Sequence, residues 1–229
     1  MSAKTSFSVP NPRRNHGGVA LLLVLLLLVI PACWGQRYFV GALGGVSTLS
    51  ADAATRLDSA NAVSLYKPKN GPALNLVGGI HLNDWFSLQG NYVWNRNDLT
   101  ITEVAGLASL EQDRYGSQHA AIADLLLYFR GRRSRIRPYL SVGSGFVLLR
   151  SFAAGPLLGT LTPVPPEVDT VKLPLRVAVG IDLLFPRGWG FRYSFSETMT
   201  GNPFSATLDP PGSRGLANFQ NLFGFVKYF

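Results

Sequence analysis

The stretch VKLPLRVAVGIDLLF, residues 171–185, alternates between apolar side chains and a mixed set of polar and small ones. One face carries the apolar residues Leu173, Leu175, Val177, Val179, Ile181 and Leu183. The other face carries Lys172, Pro174, Arg176, Ala178, Gly180 and Asp182. A repeat of two places neighbouring side chains on opposite faces of a β-strand, whereas an amphipathic helix repeats about every 3.6 residues. The stretch is therefore predicted to be a strand.

Similar alternation recurs along the chain. It predicts strands at 37–49, 72–82, 85–96, 117–130, 138–149, 172–184, 189–197 and 217–229. The connections between these strands alternate in length. The short connections are residues 83–84, 131–137 and 185–188, and the long connections are residues 50–71, 97–116, 150–171 and 198–216. Tight turns at one end and long loops at the other are typical of outer-membrane barrels. The predicted fold is all-β, an eight-stranded antiparallel up-and-down transmembrane β-barrel.

The N-terminal segment has the composition of an export signal. Residues 1–18 contain Lys4, Arg13 and Arg14 but no acidic residue, and a run of twelve apolar residues, Val19–Ile30, follows. Such a run is shorter than the roughly 20 residues of a transmembrane helix and fits the apolar region of a secretory signal peptide.

Residues 1–35 are accordingly predicted to be a secretory signal peptide and residues 36–229 the barrel domain. Cleavage is expected after Gly35, with Ala32 as another candidate position. Two alternatives remain open at this point: an uncleaved membrane anchor, and a lipoprotein acylated at Cys33. Cys33 is the only cysteine of the sequence, so the predicted mature chain has no disulfide.

The charge content argues against an ordinary soluble domain. Only 15% of residues are charged, against about 25% in soluble domains. The segment RGRRSRIR, residues 130–137, concentrates five arginines but has no interleaved aromatic residues. We interpret it as a solvated turn near acidic lipid headgroups, and we expect no nucleic-acid partner.

The chain resembles the small eight-stranded outer-membrane barrels of the outer-membrane protein A type, within the β-barrel domain proteins of Gram-negative bacteria. The resemblance covers residues 36–229 and rests on the strands RPYLSVGSGF and GWGFRYSF, the alternating loops and the C-terminal NLFGFVKYF. It implies a monomer in the cell outer membrane, in contact with outer-membrane lipid. It also implies periplasmic chaperones and a barrel-assembly machinery that reads Phe225 and Phe229. Lys227 departs from the family's apolar pattern.

Four charged residues are predicted to share the interior of the barrel: Asp124, Arg176, Asp182 and Arg192. A buried charge without a partner is costly, so opposite charges in one interior are expected to pair. Eight strands enclose a space just wide enough for side chains, which favours structural pairing. An ion path is the alternative interpretation.

The sequence contains no phosphate-binding loop, nucleophile elbow or metal-ligand spacing, so no catalytic residue, cofactor or metal is predicted. The expected function is non-enzymatic: an envelope structural role, or surface interaction through four long extracellular loops. One alternative is a lipid A acyl-chain-modifying enzyme that uses His81 or His119, the latter with Ser117 and Glu197. The other is a small-solute channel.

Overall fold

The computed structural model describes residues 37–50, 62–160, 166–204 and 215–229. The predicted signal peptide and Cys33 lie outside these ranges, so the division of the chain at residue 35 stays a prediction. No helix in the described ranges is long and apolar enough to cross a membrane.

Eight strands form a closed antiparallel barrel, which confirms the predicted fold class. In order around the barrel they are β1 (Tyr38–Leu49), β3 (Gly71–His81), β4 (Phe86–Arg96), β6 (Ala108–Tyr128), β7 (Ile136–Ala153), β10 (Leu175–Leu184), β11 (Trp189–Gly201) and β12 (Gly215–Tyr228). β12 then pairs with β1 from Phe39↔Tyr228 to Leu49↔Asn218. This pairing leaves no open sheet edge among the eight strands.

The segments predicted to be long loops contain four more strands. These are β2 (Ala62–Pro68), β5 (Leu99–Ala105), β8 (Leu158–Gly159) and β9 (Val168–Lys172). β5 pairs with the first part of β6, β2 pairs with β5, β8 pairs with β6, and β9 pairs with β7. The prediction of a loop at 97–116 was therefore wrong, because this segment belongs to a β-hairpin. The hairpin turns at Gly106, whose φ of 60° is readily adopted by glycine.

Strands β6 and β7 are longer than a membrane requires. They contain 21 and 18 residues, whereas about 9–11 residues span the hydrocarbon core of a bilayer. Their extra length lies at the long-loop end, where β2, β5, β8 and β9 pair around them. We call this ordered sheet the β-extension, and it consists of β2, β5, β8, β9 and residues 108–116 of β6.

The two faces of the strands differ as the alternation predicts. Large apolar side chains such as Leu125, Val179 and Phe223 point outward and are 43%, 51% and 58% exposed. Asp124 and Ala178, their inward neighbours, are buried.

The interior is not polar throughout, and the long-loop end differs from the rest of it. The interior there holds a cluster of twelve buried apolar residues: Leu49, Tyr66, Val93, Leu99, Ile101, Ala120, Ile122, Val147, Leu149, Val168, Phe204 and Leu216. Tyr66 of β2 stacks on Phe204, which follows β11, with ring centroids 5.6 Å apart. Because several members belong to segments that were interpreted as loops, the sequence pattern of the barrel strands did not reveal the cluster. We call it the apolar plug.

Two adjacent positions of β10 test which face meets lipid. Val179→Arg is expected to lower the free energy of unfolding by about 2–4 kcal/mol, because it places a charge on the outward apolar surface. Ala178→Ser, which changes an inward side chain, is expected to cost much less. Urea unfolding of the protein in lipid vesicles measures both. Equal tolerance of the two substitutions would contradict the assignment of the faces.

Candidate functional site

The first candidate feature is an ion pair between Asp182 of β10 and Arg192 of β11. The two residues are directly opposite each other in the strand register, and both side chains point inward. Arg192 donates from Nε to Asp182 Oδ1 at 2.6 Å and from Nη2 to Oδ2 at 2.7 Å. Both side chains are 1% exposed. This two-bond geometry is among the stronger forms of charged hydrogen bonding.

Side chains from three other strands complete the hydrogen bonding of this pair. The hydroxyls of Tyr128 and Tyr228 donate to Asp182 Oδ2 at 3.1 and 2.6 Å. Arg192 Nη1 donates to Gln89 Oε1 at 2.5 Å. The group therefore links β4, β6, β10, β11 and β12 across the interior. We call these five residues the tyrosine–arginine layer.

The second ion pair joins Arg176 of β10 to Asp124 of β6, although β7 lies between these strands. Arg176 Nη1 donates to Asp124 Oδ2, and the two side chains are 2% and 1% exposed. The residue of β7 opposite both is Gly143. A Cβ atom there would lie 2.0 Å from Asp124 Oδ1. Glycine at this position thus leaves the space through which the pair reaches across β7.

The structure therefore places all four predicted interior charges inside the barrel, in two pairs. The space around them, lined by Asn75, Asp124, Arg176 and Arg192, is too narrow to admit a water molecule. Such filling fits a structural role, because an ion path requires a hydrated passage. The role itself stays a proposal.

His81 lies in the interior at the short-turn end of the barrel. Its Nδ1 is 2.5 Å from Ser87 Oγ, and its ring stacks on that of Tyr228 with centroids 5.8 Å apart. The side chain is buried, as is Ser87. A substrate outside the barrel has no access to this pair in the structure.

His119 points outward, and its ring Nδ1 lies 2.8 Å from the hydroxyl of Tyr92. Its register partners are Trp94 and Leu148. Glu197 is on β11, and β7 and β10 stand between that strand and β6. The structure thus does not bring His119 and Glu197 together. In the described ranges there is also no group of three or more His, Cys, Asp or Glu side chains suited to a metal.

Arg137 was predicted to be part of a solvated turn, and this was wrong. It is 1% exposed, and its guanidinium lies 3.8 Å from the centroid of the Tyr128 ring. It also donates to the backbone carbonyls of Arg130 and Asp84 at 3.5 Å. Arg137 alternates in step with Tyr139 and Ser141, which also point inward. This parity was the available signal for its burial, and the surrounding arginines obscured it.

The buried pairs generate a stability prediction. Arg176→Leu and Asp124→Leu are each expected to lower the free energy of unfolding by about 3–5 kcal/mol, because each leaves a buried charge without its partner. The double variant is expected to recover much of that loss. Urea unfolding in detergent micelles provides the measurement.

Arg150→Leu is the matched control, because Arg150 and Asp169 form an exposed pair at 3.4 Å. Its cost is expected to stay within about 0.5 kcal/mol. If Arg176→Leu and Asp124→Leu were as mild as this control, the two interior charges would not depend on each other.

Comparison with known proteins places this barrel in a family. The sequence profile of the outer membrane protein beta-barrel domain matches residues 20–215. No curated protein matches the chain significantly. Neisserial surface protein A superposes with a TM-score of 0.53 at 13% identity, over 84% of this chain and 97% of that chain. OprG from Pseudomonas aeruginosa superposes with a TM-score of 0.53 at 14% identity, over 85% of this chain and 96% of that chain.

At these identities the superpositions show a shared fold, and both of these structures are small barrels of outer-membrane proteins. Together with the closed eight-stranded sheet, they confirm the resemblance noted in the sequence and the location in the cell outer membrane. The chain belongs to the outer membrane protein beta-barrel domain family.

Proposed function

We propose that this protein is a non-conducting outer-membrane barrel whose β-extension makes contacts at the cell surface. The main support for the proposal is the observation that side chains fill the interior of the barrel. Two buried ion pairs and the tyrosine–arginine layer occupy the barrel, and the apolar plug follows at the long-loop end. A solute would have to displace these side chains, and separating a buried ion pair is costly.

The β-extension supports the second half of the proposal, because it is an ordered surface rather than a set of irregular loops. β5 pairs with β6 along its whole length, from Leu99↔Arg114 to Ala105↔Ala108. Leu107 at the hairpin tip is fully exposed, and Tyr115 is 49% exposed on the strand that follows. A partner at the cell surface would meet these two apolar side chains on an ordered sheet.

Charged groups on the β-extension are paired with one another. Thr100 Oγ1 donates to Asp113 Oδ1 at 2.6 Å, and Lys69 Nζ lies 3.6 Å from the same oxygen. The hydrogen bond from Thr100 and the charge of Lys69 hold the pKa of Asp113 below its usual range. The lowered pKa favours the charged carboxylate at this exposed site.

The proposal predicts a barrel that does not conduct ions and a hairpin tip that is accessible from outside the cell. Purified folded protein in planar bilayers is expected to give no unitary currents under conditions in which an open porin conducts. In intact cells, a membrane-impermeant maleimide is expected to label Leu107→Cys and not Arg133→Cys. Both variants carry Cys33→Ser, so that the introduced cysteine is the only one.

Two controls make these results decisive. Heat-modifiable migration in electrophoresis shows that each variant is folded, and labelling of Arg133→Cys after outer-membrane permeabilisation shows that its thiol reacts. Unitary currents from the wild-type protein would contradict the closed interior. Labelling of Arg133→Cys in intact cells would reverse the proposed orientation.

A further inference from the structure

Charge is distributed unevenly between the two ends of the described barrel. Eight basic residues belong to the short-turn end: Arg37, Arg130, Arg132, Arg133, Arg135, Arg137, Arg187 and Lys227. Apart from Asp182, which pairs with Arg192 in the interior, the described part of that end contains one acidic residue, Asp84. We call the eight basic residues the basic rim.

The long-loop end has no such excess. Its described basic residues are Lys67, Lys69, Arg96, Arg114, Arg150 and Lys172. Its described acidic residues are Asp98, Glu103, Glu111, Asp113, Glu167, Asp169 and, on β11, Glu197. The charges of this end nearly balance, and Asp124, Arg176, Asp182 and Arg192 form two neutral pairs in the interior. The positive charge of the described barrel is therefore concentrated at the short-turn end.

Exposed aromatic side chains place the basic rim at the height of lipid headgroups. Trp85, Phe129, Phe185 and Trp189 border the short turns and are 50%, 54%, 48% and 50% exposed. Aromatic residues form such girdles at the boundary between hydrocarbon and water in outer-membrane barrels. The neighbouring basic side chains can thus reach the headgroup layer.

Most of the exposed arginines of the rim have no acidic partner in the described protein. Arg132 pairs with Asp84 at 3.0 Å, and Arg137 is buried. Arg130, Arg133 and Arg135 are exposed, and no described carboxylate pairs with them. Their positive charge is available to an anion from outside the chain.

Arg187, in the turn before β11, and Lys227 of β12 form a second part of the rim. Lys227 Nζ donates to the backbone carbonyl of Arg187 at 2.5 Å. The same nitrogen lies 5.2 Å from the centroid of a Trp189 ring and 5.9 Å from that of Phe229. The ammonium group is thus drawn towards the turn, where it meets the aqueous side of the interface. This position explains how the outward-facing row of β12 accommodates a lysine.

We propose that the basic rim binds the phosphate groups of anionic phospholipids in the adjoining leaflet. Arginine side chains form two-bond contacts with phosphate oxygens, and basic residues near an anionic membrane surface gain attraction that salt weakens. The lipid shell around the short turns would then be enriched in an acidic lipid such as phosphatidylglycerol. This inference depends on the barrel being embedded in a membrane and is independent of the contacts proposed for the β-extension.

Tryptophan fluorescence tests the inference, because Trp85 and Trp189 lie beside the basic rim. The folded protein, with Trp34→Phe and Trp94→Phe, is reconstituted in phosphatidylcholine vesicles that contain a small fraction of brominated phosphatidylglycerol or brominated phosphatidylcholine. Both leaflets contain the quencher, so the direction of insertion does not matter. Quenching is expected to show that brominated phosphatidylglycerol associates with the protein about fivefold more strongly than brominated phosphatidylcholine. A fivefold preference corresponds to the attraction of roughly one basic residue to an anionic membrane surface.

Charge-neutralised variants locate the effect. Arg133→Gln, Arg135→Gln and Arg187→Gln together are expected to remove most of the preference for phosphatidylglycerol. The matched control is Lys67→Gln, Lys69→Gln and Arg150→Gln together, which removes equal charge at the other end and is expected to preserve the preference. Heat-modifiable migration shows that both variants are folded. Equal quenching by the two brominated lipids in the protein with an unsubstituted rim would overturn the proposal. An equal loss of the lipid preference in the rim variant and in the control variant would also overturn it.

Inorganic phosphate distinguishes a lipid site from a site for a soluble anion. At matched ionic strength, sodium phosphate and sodium chloride are expected to reduce the preference equally, because lipid phosphates surround the rim at a far higher local concentration than dissolved phosphate, which then acts only by screening. A much stronger reduction by phosphate would show that the rim binds free phosphate and would overturn the assignment to lipid headgroups.

Discussion

Strands β1 and β12 hydrogen-bond to each other from Phe39↔Tyr228 to Leu49↔Asn218, and this pairing turns an eight-stranded sheet into a barrel. Hydrocarbon offers no water to an unpaired N–H or C=O group, and each such group costs several kcal/mol. An open sheet would expose two edges to lipid. The closing contact between the two ends of the described barrel is therefore a condition for its stability in the membrane.

Closure also fixes the width of the interior and thereby explains its charges. Inward-facing residues of non-adjacent strands come within hydrogen-bonding distance, as Arg176 and Asp124 do across Gly143. The two ion pairs of the interior are therefore neutral, whereas the buried Arg137 lies over the Tyr128 ring and donates to backbone carbonyls. This filling of the interior is the basis of the proposal that the barrel does not conduct.

The sequence predicted the strands and their faces well because strand alternation depends only on neighbouring residues. The inward placement of Asp124, Arg176, Asp182 and Arg192 follows from that parity. The choice of partners does not, because it depends on the register between strands, and one sequence contains no information on register. The separation of His119 from Glu197 has the same origin, since it results from the order of strands around the barrel.

Other features were missed for physical reasons that lie outside a single strand. Leu99 and Ile101 alternate in a short hairpin between two barrel strands. The segment that contains them was interpreted as a long loop. Tyr66 and Phe204 belong to segments without strong alternation, and only their stacking over the interior makes them part of the apolar plug. The hydroxyls of Tyr128 and Tyr228 are buried partners of Asp182, and this role depends on contacts between strands that alternation does not predict.

A disulfide across the closing pair of strands tests the central claim, that β1 pairs with β12. Val46 and Asn221 are register partners, both exposed on the outer surface. In a Cys33→Ser background, Val46→Cys with Asn221→Cys should oxidise readily in the folded protein, because adjacent strands are about 4.8 Å apart and a disulfide spans that distance. Val46→Cys with Phe195→Cys is the control, since Phe195 is the partner of Asn221 on β11, one strand further away. The account predicts cross-linking of the first pair and not the second; a folded barrel in which the first pair stays reduced would contradict it.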